Sequence, residues 1–244
     1  MSISKANEIL IELAEKYQNI KYKDICVPVP YFINTAEQIY KQEMSTIGIE
    51  RETISKILQR IKDGKTPLGS GVGKGSPEEI TRSLERLMVY LGEIGYYPKT
   101  EVYVRGWMAE MHIGLECSGY VCNILAAIEN SLGIEILKQL AWREPETKKP
   151  SHAGAFIFDS ERLTEITDYE DLKPLDMFIL RDHSHMGILA EYKGDLCFND
   201  CAMEMNGISF NRLFRDGDSY VIEGRDYRTE ALNNGEFVVR RVNF

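Results

Sequence analysis

The sequence predicts an α+β fold, and three observations carry that prediction. Up to Leu132 the apolar residues recur mostly at steps of three and four, the period of an amphipathic helix. From Phe156 onward they fall into short runs separated by turn residues, the pattern of antiparallel strands. Between the first helical blocks and the rest lies Gly69-Ser70-Gly71-Val72-Gly73-Lys74-Gly75, the one low-complexity stretch and a natural loop or boundary. Helices first and strands later is the order of an α+β chain.

The elements follow in order. Ile3, Ala6, Ile9, Leu10, Leu13, Ala14 and Tyr17 make one helical face that must pack on something. Val27-Pro28-Val29-Pro30-Tyr31-Phe32 cannot continue a helix, because each proline lacks an N–H donor and pushes the residue before it toward extended geometry. Further helices are expected from about Thr35 to Met44 and from Glu50 to Asp63, the second ended by Gly64. Ser76-Pro77-Glu78-Glu79 combines a side-chain cap, a proline at the first helical position and an acidic residue able to close a capping box, so a helix should run from there to about Gly95. Val121, Ile124, Leu125, Ile128 and Leu132 predict a buried helix. Strands are expected over Met177 to Leu180, Met186 to Ala190, Asp195 to Phe198 and Phe237 to Val242.

Composition excludes several classes. A chain of 244 residues can bury a full core, and its 43% hydrophobic and 27% charged residues are those of a soluble globular protein. No apolar run approaches the roughly 20 residues that would cross a bilayer, so no membrane partner is expected. Residues Met1 to Lys16 intersperse Glu8, Glu12 and Glu15 and lack the features of a signal peptide. The expected location is the cytoplasm, with release by lysis or non-classical export as the routes out. A net charge of −9 argues against general nucleic-acid affinity. Five cysteines, an odd number, fit free thiols in a reducing compartment rather than a disulfide framework.

The chemistry is concentrated at Gly114-Leu115-Glu116-Cys117-Ser118-Gly119-Tyr120-Val121. Cys117 opens the buried helix, where the helix dipole and free backbone N–H groups favour a thiolate and can hold the oxyanion of a tetrahedral intermediate. A thiolate nucleophile needs a proton shuttle for the leaving amine, and imidazole is suited to that near neutral pH. Of four histidines, His185 opens the strand run His185-Met186-Gly187-Ile188-Leu189, with Pro174 to Ile179 as its hairpin partner. His183 would point to the same face of a strand and competes for the role; His112 and His152 read as surface or structural residues. Cys122 reads as core. Cys197 and Cys201, four apart, lack the paired spacing of a zinc knuckle, so no metal is expected. The glycine-rich stretch fails the phosphate-loop pattern, since Gly75 follows Lys74 where Ser or Thr is required, and no cofactor is expected.

Glu116-Cys117-Ser118-Gly119-Tyr120-Val121 resembles the Asp-Cys-Ser-Gly-Phe-Val block of the NlpC family of papain-like cell-wall cysteine peptidases. His185-Met186-Gly187-Ile188 is similar to that family's His-Val-Gly-Ile block, and Pro174-Leu175-Asp176-Met177-Phe178-Ile179 to the Pro-Gly-Asp-Leu-Val-Phe strand before it. Tyr103-Val104-Arg105-Gly106-Trp107 is a weaker echo of the family's Tyr-Val-Trp-Gly-Gly segment. The likeness covers roughly 99–201. Glu116 replaces the usual Asp, Leu175 replaces a Gly, and Arg105 and Trp107 depart from the pattern.

The resemblance implies a papain-like cysteine peptidase core over 76–244, with the cysteine helix packed on an antiparallel sheet bearing the histidine. A helical N-terminal region over 1–75 would pack on it. It implies Cys117 as nucleophile, His185 as base, and a third polar residue that orients the imidazole. Asn199 is the best match for that residue, and Asp200 is the alternative because the strand register cannot be fixed from one sequence. Ser118 and Tyr103 would serve the oxyanion or the substrate. The implied activity is hydrolysis of amide bonds in a small peptide or muropeptide of peptidoglycan. An acyltransferase or deamidase, or a catalytically silent binding module of the same fold, are the alternatives.

Overall fold

The computed structural model describes residues 3–31, 73–93, 95–111, 113–142, 153–202, 207–216, 219–223 and 237–243. Within them the chain is α+β, with four α-helices and a seven-stranded antiparallel sheet. The helices expected over Thr35 to Met44 and Glu50 to Asp63 lie outside the described residues, as do His112 and His152.

Helix α1, Ile3–Gln18, buries Ala6, Ile9, Leu10, Ala14 and Tyr17 of the face its spacing predicts, with Leu13 half-buried and Ile3 exposed at the first turn. A short hairpin that the sequence pattern does not announce follows it, β1 (Ile20–Tyr22) with β2 (Ile25–Val27), turning through Lys23 at φ +52°. Helix α2, Pro77–Glu93, begins with the predicted capping box: the Ser76 N–H donates to Glu79 Oε2 at 2.9 Å and the Glu79 N–H to Ser76 Oγ at 3.3 Å. Helix α3, Glu101–Glu110, is capped by Thr100, and α4 runs from Cys117–Leu132 to a left-handed Gly133 at φ +66°.

The sheet comprises β3 (Thr164–Glu165), β4 (Met177–Leu180), β5 (Met186–Tyr192), β6 (Asp195–Ala202), β7 (Gly207–Asp216), β8 (Ser219–Ile222) and β9 (Phe237–Arg241). Their order is β3-β9-β4-β5-β6-β7-β8, so β9 returns to pair with β4 while β4 to β8 form a meander. One face joins the helices in the main core through Met177, Ile179, Met186, Ile188, Ala190 and Cys201. The opposite face carries a second cluster in which Phe178 meets Phe198 and Phe237 edge-on at 6.0 and 5.8 Å. Each such fully buried phenylalanine contributes roughly 1.5–3 kcal/mol.

Helix α4 is the centre of the main core, buried continuously from Cys117 to Leu125. Helix α1 shares that core. Tyr17 packs edge-on against Tyr120 at 5.7 Å and its hydroxyl donates to the Gly75 carbonyl at 3.0 Å. Asn7 ties α1 to β5 by donating to the Glu191 carbonyl at 3.0 Å and accepting the Glu191 N–H at 2.9 Å.

Candidate active site

The start of α4 is held between two extended segments. The Leu115 N–H donates to the Pro30 carbonyl at 3.1 Å on one side, and the Glu116 N–H to the Gly73 carbonyl at 2.9 Å on the other. Glu116 occupies the N-cap position with no side-chain cap bond. The first-turn N–H groups of Cys117, Ser118 and Gly119 are those an α-helix leaves without an internal partner, and with the helix dipole they present partial positive charge. Gly119 is required by the close approach: a Cβ there would lie 2.5 Å from the Gly73 carbonyl oxygen.

Cys117 is buried, with 6% of its surface accessible. Burial pushes its thiol up, but a hydrogen bond and charge from the His185 imidazole, the Met186 N–H and the charge of Lys74 outweigh that and bring it below its ordinary value. Burial likewise works against the His185 cation, yet hydrogen bonds to Asp200 and Cys117 raise it to about 10. The two effects describe one coupled pair, in which each group favours the charged form of the other. Cys122, by contrast, is pushed up to about 12 by burial and is inert core.

The third member is Asp200. Its Oδ2 lies 2.7 Å from His185 Nε2, and its carboxylate is fully buried. Nε2 is thus committed to Asp200, which leaves Nδ1 for the sulfur. The expectation that Asn199 orients the imidazole is corrected here, and the register is the reason. Pairing of Ile188 with Asn199 sets Gly187 opposite Asp200, so His185, two residues before Gly187, shares its side of the sheet with Asp200. Asn199 points the other way, into the core, where its Oδ1 accepts from the Tyr120 hydroxyl and its Nδ2 donates to the Ser209 carbonyl at 2.8 Å. Gly187 is also dictated by packing, since a Cβ there would fall 2.4 Å from the Phe198 ring.

Asp200 is itself held. Ser209 Oγ donates to Asp200 Oδ1 at 3.1 Å, and Asn211 Nδ2 donates to Ser209 Oγ at 2.7 Å. The resulting chain runs Asn211, Ser209, Asp200, His185, from the middle of β7 to the imidazole that is coupled to Cys117 at the start of α4. Ser209 and Asn211 escape a sequence reading because they occupy the polar positions of the alternating run Ile208-Ser209-Phe210-Asn211, where solvent-facing residues are expected. The break in alternation at Arg212-Leu213-Phe214 obscures the rest of β7.

No family model, curated protein or solved structure matches this chain. The remaining candidates are therefore placed by geometry alone. His183 is not on the strand; it sits in the β4–β5 turn at φ +58°, with Nε2 3.4 Å from Asp159 Oδ2. Asp182 shapes that turn by accepting the Ser184 N–H at 2.9 Å and the Ser184 hydroxyl at 2.7 Å. The Ser118 side chain is occupied by Lys74 and Glu116, which leaves only its backbone N–H for an oxyanion. Tyr103 stands on the first turn of α3 and is 39% exposed. Among the described residues no hydrogen bond links it to Cys117, His185 or Asp200.

All five cysteines are free, and among the described residues no group of three or more His, Cys, Asp or Glu side chains could hold a metal. No helix among them is long and apolar enough to cross a membrane. A cavity of about 470 Å³ bounded by Leu140, Trp142, Asp159 and Arg162 includes none of the thiol-site residues.

Proposed function

We propose that the chain is a papain-like cysteine hydrolase of amide bonds, with Cys117 as nucleophile, His185 as acid and base, and Asp200 holding the imidazole. The observation that carries this reading is the juxtaposition of the three: a thiol at a helix start, electrostatically coupled to an imidazole whose Nε2 is 2.7 Å from a buried carboxylate. Structural histidines rarely need both a thiol and a buried carboxylate, whereas a nucleophile, its base and the base's orienting group need that arrangement.

In the mechanism the Cys117 thiolate attacks the substrate carbonyl carbon, and the carbonyl oxygen takes up negative charge facing the first-turn N–H groups of α4. Collapse of this intermediate breaks the C–N bond as His185 gives its proton to the departing amine, leaving a thioester on Cys117. His185, now neutral, removes a proton from water, and the hydroxide displaces the sulfur to release a carboxylic acid. Asp200 keeps the imidazole in one orientation through both steps and favours its cationic form.

The resemblance to the NlpC family supports a stem peptide of peptidoglycan as substrate, and one local feature supports the resemblance. The turn 173–176 is closed by the Asp176 N–H donating to the Lys173 carbonyl at 3.2 Å, with Pro174 second and Leu175 third at φ +78°. Leu175 stands where the family carries glycine, and its backbone adopts the region glycine favours. The buried sulfur favours a slender substrate, as a short peptide would be. Digestion of purified muropeptides by wild type beside Cys117→Ala, read by mass spectrometry, tests the proposal. New fragments from wild type alone are expected; fragments from both proteins would overturn the role of Cys117.

A further inference from the structure

The sequence marks Gly73-Lys74-Gly75 only as a loop, yet it forms a strap across the first turn of α4. Lys74 is buried, at 7% exposure, with its stem where a Gly119 side chain would be: a Cβ on Gly119 would lie 2.7 Å from Lys74 Cδ. Its Nζ donates to Ser118 Oγ at 2.6 Å and contacts the Glu116 carboxylate. Ser118 Oγ in turn donates to Glu116 Oε1 at 2.6 Å, and Asn123 Nδ2 holds the Lys74 carbonyl at 3.0 Å. A buried ammonium is costly and is kept only where its charge is paired. Here the paired carboxylate belongs to the residue immediately before Cys117.

We propose that Lys74 is a positioning residue of the thiol site, which clamps the strap onto α4 and cancels the Glu116 carboxylate so that the Cys117 sulfur meets no opposing negative charge. This inference rests on the reading of Cys117 and His185 as a reactive pair. The groups that face Lys74 are Glu116, Ser118, Cys117 and Cys122 of α4 and its entry. Those that face Cys117 are His185 and the Met186 N–H from β5 and its approach, and Lys74 from the strap. Burial draws the Lys74 ammonium down to about 8, with the two thiols pulling the other way, so it remains mostly cationic at neutral pH. Without it, the carboxylate of the residue that adjoins Cys117 in the chain would be left without its cation.

The test is the pH dependence of iodoacetamide alkylation at Cys117, followed by peptide mass spectrometry with exposed Cys26 as the internal reference thiol. Lys74→Met is expected to move the Cys117 midpoint up, slowing alkylation about 3- to 10-fold below it, which corresponds to half a unit to one unit. Lys74→Met/Glu116→Gln restores local neutrality and is expected to return most of that rate. A role in packing alone would leave the double variant as slow as the single or slower. An unchanged midpoint in folded Lys74→Met, or no recovery in the double variant, would overturn the inference. Should Lys74→Met fail to fold, Glu116→Gln decides, since relieving the sulfur of a carboxylate cannot raise its midpoint and a rise would contradict the charge argument. If wild-type Cys117 reacts no faster than Cys26, it is the reactive pair itself that fails, whatever Lys74 does.

Discussion

His185 and Asp200 meet across neighbouring strands at 2.7 Å, and that contact separates two adjacent side chains into different roles. Asn199 and Asp200 are consecutive on β6, and a strand sends consecutive side chains to opposite faces. One braces the core through Tyr120, and the other orients the imidazole.

Substitutions at the two positions should therefore fail differently. Asp200→Asn is expected to fold and to lose about 100-fold or more in kcat/KM, because the carboxylate that fixes and charges His185 is gone. Asn199→Ala leaves the buried Tyr120 hydroxyl without its acceptor and should cost about 1–3 kcal/mol in urea unfolding. Its pH profile should match wild type. Equal kinetic losses at both positions would contradict the assignment.

The pH dependence follows from the coupled pair. On the acid side the rate should rise as Cys117 loses its proton, at a pH below that of an ordinary thiol because the His185 interaction outweighs burial. On the alkaline side it should fall as His185, raised to about 10, gives up its proton and can no longer supply the leaving amine. A bell-shaped kcat/KM profile is expected, and Asp200→Asn should move its alkaline limb downward, since Asp200 helps to raise His185.

Gly187 should resist replacement for a packing reason. Gly187→Ala would place a Cβ 2.4 Å from the Phe198 ring and 2.9 Å from the Asn199 carbonyl oxygen. Overpacking of this kind typically costs about 1–3 kcal/mol. A lowered melting temperature is expected, partly recovered in Gly187→Ala/Phe198→Leu, which vacates the ring's space.

Much of this was legible in the sequence because it rests on local rules. The Ser76 capping box, the apolar stripe of α1 and the β4–β5–β6 succession depend on neighbours in the chain. A cysteine at a helix start and a histidine at the approach to a strand were visible in the same way, each from its own neighbours. What the sequence did not disclose depends on register and on contacts distant in the chain. The choice between Asn199 and Asp200 turns on a one-residue shift, Ser209 and Asn211 sit in a strand whose inward face is partly polar, and Lys74 reaches Ser118 from 44 positions away. Helix α3 carries Arg105 and Gly106 among apolar neighbours, which blurs its period, and its start is marked mainly by Thr100.

One buried ion pair offers a check on the sheet independent of the chemistry. Asp176 is fully buried and receives two hydrogen bonds from the Arg241 guanidinium, at 2.7 and 2.8 Å. This pair locks β9 to the turn that leads into β4. Arg241→Met would leave the buried carboxylate only the Lys173 N–H, which donates to Asp176 Oδ2 at 2.8 Å, and is expected to destabilise the fold by about 2–4 kcal/mol, measured by urea unfolding. A loss below about 1 kcal/mol would mean that Asp176 finds solvent or another partner.

The most direct measurement of the central claim is the alkylation rate of Cys117 at slightly acidic pH in wild type and in His185→Ala. If the two residues form a thiolate and imidazolium pair, wild-type Cys117 reacts much faster than exposed Cys26 and His185→Ala brings it down to or below that reference. Equal rates at Cys117 with and without the imidazole would contradict the account, because the sulfur would then owe nothing to His185.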